Sequence, residues 1–84
     1  MDTEQDLIAR WVERNPHRPG IAEARVVGYG VPVWALAGYL LMVEGDAERV
    51  AGDYDLPRDA VAAALAYYRR HQAVIDARIA ANAE

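Results

Sequence analysis

Residues 47–68, AERVAGDYDLPRDAVAAALAYY, decide the fold of this 84-residue chain. The two helices of a helix-turn-helix pack closely across a three- or four-residue turn, so the first needs a small residue and the second needs branched apolar residues facing back. Val50 and Ala51 meet the first demand; Val61 and Leu65 meet the second. Asp55-Leu56-Pro57 breaks the chain between them. Glycine is the usual turn residue, but aspartate tolerates left-handed geometry because its short side chain bonds locally, and Asp55 is expected to take that role. The stretch predicts one helix from Ala47 to about Tyr54, with Val50, Ala51 and Tyr54 on one face, and another from Pro57 or Arg58 onward.

Toward the N-terminus, Glu44-Gly45-Asp46 reads as a stop and a restart. Gly45 suits the left-handed end of a preceding helix, and Asp46 suits the cap of the following one. The preceding helix starts near Pro32 or Val33 and carries Trp34, Leu36, Ala37, Leu40, Leu41 and Val43. That surface is too broadly apolar for a freely exposed helix, so this is the expected central helix. Before it, Ala24 to Val27 reads as a short strand, and Gly28-Tyr29-Gly30 as a turn through positive φ leading to Val31-Pro32-Val33. An isolated two-stranded ribbon is marginal in water; the ribbon is expected to pair with another chain or to pack on the helices. A first helix is expected to start with Thr3 as its cap and Asp6 reaching back to the backbone, with Leu7, Ile8, Trp11 and Val12 in one stripe. It ends by Asn15, because Pro16 disfavours helical geometry in the residue before it. Asn15 to Gly20, with two prolines and a glycine, is a loop.

Toward the C-terminus the apolar spacing persists through Val61, Leu65, Tyr68, Ile75 and Ile79, so the last helix either runs unbroken to about Ala81 or bends near His71. The expected fold is mainly α, a small helix-turn-helix domain of three to four helices with a short N-terminal β-ribbon. One domain spans 1–84. Within it lie an N-terminal helix (1–15), a loop and ribbon (16–32), the helix-turn-helix core (33–71) and a C-terminal helical extension (72–84).

Composition narrows the function classes. There is no cysteine, so neither disulfides nor a thiolate zinc site staples so small a fold. At 54% hydrophobic residues the chain is too apolar for intrinsic disorder, yet much of that fraction is alanine, which adds little buried area, and a partner surface is expected to complete the core. The longest apolar stretch, Val31 to Val43, is interrupted by Pro32 and Gly38 and is too short to span a bilayer. No signal-like start precedes it, so a cytoplasmic protein without membrane contact is expected. The net charge of −4 repels a phosphate backbone unless the nine arginines cluster. Serine, lysine and phenylalanine are absent, and arginine without lysine alongside abundant alanine suggests a high-GC bacterial genome.

From Val26 to Ile79 the order of motifs resembles the domain of unknown function 433 family. The resemblance rests on Gly28, the Val31-Pro32-Val33 entry, Gly38-Tyr39-Leu40, the Gly45-Asp46 cap, the Asp53-Tyr54-Asp55-Leu56 turn and Ala64-Leu65-Ala66-Tyr67-Tyr68. It implies a helix-turn-helix antitoxin of a bacterial toxin–antitoxin pair, commonly neighboured by a PIN-like ribonuclease toxin. The chain departs from the family where a Gly-Thr-Arg-Ile stretch usually precedes the entry; here Gly28-Tyr29-Gly30-Val31 lacks the arginine. The N-terminal helix with Trp11 lies outside the shared region.

If the fourth helix reads DNA, Arg58, Asp59, Ala62, Ala63 and Ala66 are the expected exposed residues of its first turns. Only Arg58 carries a donor fork suited to guanine, and Arg69 and Arg70 are the candidates for phosphate. The alternative is an alanine-rich face packed on another helix and cations set favourably toward a helix C-terminus. Glu44, Asp46, Glu48, Asp53, Asp55 and Asp59 lack calcium-loop spacing and read as caps and surface. His17 and His71 have no second histidine at a ligand spacing, so no metal and no cofactor are expected. With no serine or cysteine and no nucleophile–base constellation, the chain is not expected to be an enzyme. Among the aromatics, Trp34, Tyr54 and Tyr68 fit core positions, whereas Tyr29 and Tyr67 are candidate interface anchors. An antitoxin that covers a ribonuclease with its last helix would use Val74, Ile75 and Ile79 in a groove of its partner. A homodimer, with operator DNA as a further partner, completes that expectation; a stand-alone DNA-binding regulator and a homo-oligomeric scaffold are the alternatives.

Overall fold

A computed structural model describes residues 2–82; Met1 and residues 83–84, the last two of the expected extension, lie outside the described residues. The described residues form five α-helices and one two-stranded antiparallel sheet: α1 (Thr3–Trp11), β1 (Val12–Glu13), β2 (Arg25–Val26), α2 (Val33–Met42), α3 (Ala47–Tyr54), α4 (Arg58–Arg70) and α5 (Gln72–Asn82), with a 3-10 turn at Ile21–Glu23. The mainly α, helix-turn-helix architecture expected from residues 47–68 is present, with one more helix than the three to four expected.

The helix-turn-helix unit forms through local chemistry. The Asp46 carboxylate accepts the Arg49 amide at 3.1 Å and starts α3, satisfying one of the amides that a helix start leaves without a partner. At the other end Asp55 adopts the left-handed conformation, φ 55° and ψ 47°. The Leu56 amide then reaches back to the Ala51 carbonyl at 2.9 Å, and the Asp55 amide to Gly52 at 3.3 Å. This pair of bonds is a Schellman motif, and it turns Leu56 into the core. Pro57 follows, its carbonyl accepting from Ala60 and Val61 to open α4.

The end of α2 repeats the device with a shift. Gly45 donates to the Leu40 carbonyl at 2.9 Å and Glu44 to Leu41 at 3.4 Å. Glu44 therefore holds the left-handed position, φ 57°, ahead of Gly45 at φ 82°. Sequence reasoning gave that position to Gly45 alone.

Two expectations for the N-terminal half are corrected. The cap of α1 is Asp2, whose carboxylate accepts the Glu4 and Gln5 amides at 3.1 and 3.2 Å, and Thr3 is the first helical residue. The helix also stops at Trp11, and Val12, expected on its apolar stripe, is extended. Val12 pairs with Val26 and Glu13 with Arg25, so the strand's mate is the exit of α1. On the other side of β2, the Val26 amide donates to Val31 at 2.8 Å and Val33 to Ala24 at 2.9 Å. The two are joined through Gly28 and Gly30 at φ 80° and 71°. Arg25–Val26 is thus flanked on both sides within one chain, and the Glu13–Arg25 ion pair at 2.8 Å crosses the sheet.

The core gathers around Leu36, Val26, Val33, Val50, Val61 and Ile75, all essentially inaccessible. Alanines 60, 63, 64 and 66 of α4 are buried too, and their small side chains let α1 and α2 pack along α4. The bend near His71, one of the two alternatives, is the one realised. The His71 amide bonds to the carbonyls of Tyr67 and Tyr68, and its own carbonyl starts α5 by accepting from Ile75. α5 folds back on α2 and the 3-10 turn; Ile79 packs over the Cα of Gly38, where a side chain would touch it at about 3.8 Å.

Candidate functional site

α4 presents two stripes of opposite fate. Residues at i, i+4, i+7 and i+11 share one face of a helix. Ala63, Ala66 and Arg70 belong to the stripe along which α1 lies: both alanines are buried, and Arg70 bonds to Glu4 Oε1 at 3.0 Å, to Asp2 Oδ2 at 2.9 Å and to Gln5. The same contact holds the Asp2 carboxyl below its usual range, with the helix-start amides adding to the effect, and raises the Arg70 guanidinium. The expected exposure of Ala63 and Ala66 is therefore corrected, because α1 covers that side. Arg70 is committed to the same packing.

The neighbouring stripe, Arg58, Ala62, Leu65 and Arg69, stays open. These side chains line a shallow cleft with Ala47, Glu48 and Val61. The Arg58 side chain is 80% exposed and pairs with Glu48 at 3.1 Å; Arg69 is 60% exposed and pairs with Glu4 at 3.4 Å. Pairs this exposed contribute at most about 1 kcal/mol, so both guanidiniums are cheaply released to a ligand. Of the three arginines singled out for DNA, Arg58 and Arg69 lie at the two ends of this open stripe, whereas Arg70, which shares the Glu4 carboxylate with Arg69, is tied into the α1 contact.

The five candidate partner residues do not form one surface. Tyr29 sits exposed on the Gly28–Gly30 turn and Val74 is half-exposed on α5. Ile75 lies in the core, fully buried, which corrects its assignment to a partner surface. Ile79 is partly buried against that core. The Tyr67 hydroxyl donates to the Ile21 carbonyl at 2.8 Å, and burial pushes the phenol's pKa up. The reason is the bend at His71: it returns α5 to the body of the fold, where its isoleucines find α2.

α2 supplies what the sequence reading missed. Leu41, expected in the buried surface of that helix, is 63% exposed, and Met42 is 78% exposed. Behind Met42 runs an open groove of about 380 Å³, floored by Trp34, Ala35, Gly38 and Tyr39 of α2 and walled by Tyr54, Ile79 and Asn82. Tyr39 meets the Tyr54 ring edge-on at 5.5 Å and donates its hydroxyl to the Asp53 carboxylate, which raises the tyrosine's pKa. At the far end Arg78 lies 4.3 Å from the Trp34 ring and bonds both Glu23 oxygens at 3.1 and 2.9 Å. The available signal was that residues 33–42 carry no charged residue, so whichever face the core leaves open must be apolar.

Among the described residues no three acidic or histidine side chains gather as a metal site, and no helix is long and apolar enough to cross a membrane. In comparisons with protein-family models, with curated proteins and with solved structures, the chain matches none.

Proposed function

We propose that this chain is an antitoxin-like binding protein that docks on a partner ribonuclease of the PIN-like type and neutralises it. The observation that carries the reading is the pair Leu41 and Met42, adjacent at the end of an uncharged helix and more exposed than the other large apolar side chains of the described residues. An apolar centre of this kind beside an aromatic groove is what protein interfaces use as an anchor. The reading also draws on the resemblance of the motif order from Val26 to Ile79 to the domain of unknown function 433 family, which implies the same class of protein. Co-expression with the product of the adjacent gene, purification through a tag on one of them and light scattering test it directly. A stoichiometric complex with suppressed ribonuclease activity is expected; full ribonuclease activity in an equimolar mixture would sink the proposal.

A second reading, contact with operator DNA, is favoured by the open Arg58–Ala62–Leu65–Arg69 stripe of the helix-turn-helix. Two arginines about 16 Å apart along α4 reach phosphate or guanine on either side of two small apolar contacts. Glu48 and Asp59 beside them work against it, so the DNA contact belongs to the complex with a basic partner rather than to the lone chain. A promoter fragment that shows no salt-sensitive shift with or without the partner removes this reading.

A further inference from the structure

We infer that the C-terminal end of α2, with the acidic segment 44–55 that follows it, is a docking surface for a basic protein partner. The inference rests on the partner-binding reading above and names where the partner sits and what chemistry it brings. Segment 44–55 holds five carboxylates, Glu44, Asp46, Glu48, Asp53 and Asp55, against Arg49 alone. Its net charge of −4 equals that of the whole chain, and the remaining residues carry eight acids and eight arginines. The acidity is therefore a local feature set directly beside Leu41 and Met42.

The pairing of charges sharpens the contrast. Outside the segment Arg25, Arg70 and Arg78 are each tied to a carboxylate at 3.0 Å or less. Within it, no cation of the described residues lies at ion-pair distance from Glu44, Asp46 or Asp55. Asp46 and Asp55 are occupied in ending or starting α3, as is Glu44 at the end of α2. The Asp46 carboxylate is thus held at the start of α3 and the backbones of Glu44 and Asp55 are fixed in the left-handed conformation, and none of the three is neutralised by a cation of the described residues.

Charge complementarity selects the occupant. A second copy on a two-fold axis through this face would set one −4 segment against another within a Debye length of about 8 Å. Nucleic acid and anionic lipid are repelled by the same field. A protein surface with exposed arginine or lysine around an apolar ridge meets both demands. Methionine suits such an anchor because its flexible thioether adapts to the ridge it meets.

Two synthetic amphipathic helices with the same leucine stripe, one with arginine and one with glutamate on the polar face, probe the surface on the full chain. The arginine peptide is expected to bind, to shift amide resonances in residues 38–55, and to weaken at least tenfold between about 50 and 500 mM salt. L41S with M42S, at positions too exposed to matter for folding, is expected to abolish that binding, and E44Q with E48Q to weaken it severalfold. No binding of the arginine peptide, equal binding of the glutamate peptide, shifts confined to another face, or a dimer closed through this face would each overturn the inference. The co-expressed neighbour separates this outcome from the proposed function. A complex that survives L41S with M42S removes the surface and keeps the antitoxin reading, whereas an arginine peptide bound without any complex removes the antitoxin reading and keeps the surface.

Discussion

The end of α2 and the helix α5 both carry large aliphatic side chains, Leu40, Leu41 and Met42 in one and Val74, Ile75 and Ile79 in the other, and they exchange the roles their sequences suggest. α5, expected as an arm extended toward a partner, is folded home: Ile75 is in the core, Ile79 rests on Gly38, and Arg78 bridges to Glu23 and Trp34. α2, expected to be central throughout, starts in the core with Val33, Leu36 and Ala37 and emerges from it at Leu41 and Met42. Hydrophobic spacing tells which side chains want cover. Which ones receive it depends on how far the neighbouring elements reach.

Ile75→Ala tests the contrast most severely. A fully buried isoleucine reduced to alanine is expected to cost about 3 kcal/mol, read as a lower urea midpoint at unchanged slope. Leu41→Ala is expected to stay within about 0.5 kcal/mol of the parent. A loss of less than about 1 kcal/mol for Ile75→Ala would mean that α5 is a detachable arm after all, and the two regions would trade places again.

Arg78→Ala comes next. The guanidinium is mostly covered, bonds a carboxylate through two contacts and lies over an indole. Its removal leaves Glu23, itself largely buried, with only the longer 3.5 Å contact to Arg18. A loss of about 1–2 kcal/mol is expected, below the full cost of breaking a wholly buried pair because water still reaches the site. Amide exchange should rise first in α5 and leave α3 protected.

What was legible in the sequence was local. The Asp46 cap, the left-handed Asp55, the Pro57 entry and the turn at Gly28 and Gly30 are each written in one to four neighbouring residues and appear where expected. What was not legible needed a distant partner. Nothing near Arg25–Val26 states that residues 12–13 will pair with it. Likewise the alanines of α4 do not announce which stripe α1 will cover, since alanine is as much at home on a surface as in a helix contact. For the candidate site the acids of segment 44–55 were visible, but their value as a rim depends on Leu41 and Met42 being uncovered, which a uniformly apolar helix cannot signal.

Glu44 offers a smaller effect of opposite sign at the α2 end. A side chain held at φ 57° pays a left-handed penalty that glycine avoids. After the entropy glycine loses on folding, Glu44→Gly is expected to stabilise by about 0.5 kcal/mol. The same change removes a rim carboxylate, so a variant that is more stable and binds the basic probe less tightly would separate the structural and docking roles of one residue.

The smallest effect lies where α5 meets α4. The Tyr68 hydroxyl donates to Asp76 at 2.6 Å, and this bond, with burial secondary, pushes the phenol up to about 12. A phenol that keeps its proton longer in the folded state contributes stability that is fully present below its unfolded value of about 10 and is lost as pH rises toward 12. The contribution is modest because the ring is near solvent. Tyr68→Phe should therefore leave neutral stability nearly unchanged but flatten the fall between about pH 10 and 12. If the variant and the parent lose stability in parallel across that window, the Tyr68–Asp76 bond is not among the contacts that hold α5 home, and Ile75 with Arg78 must hold it alone.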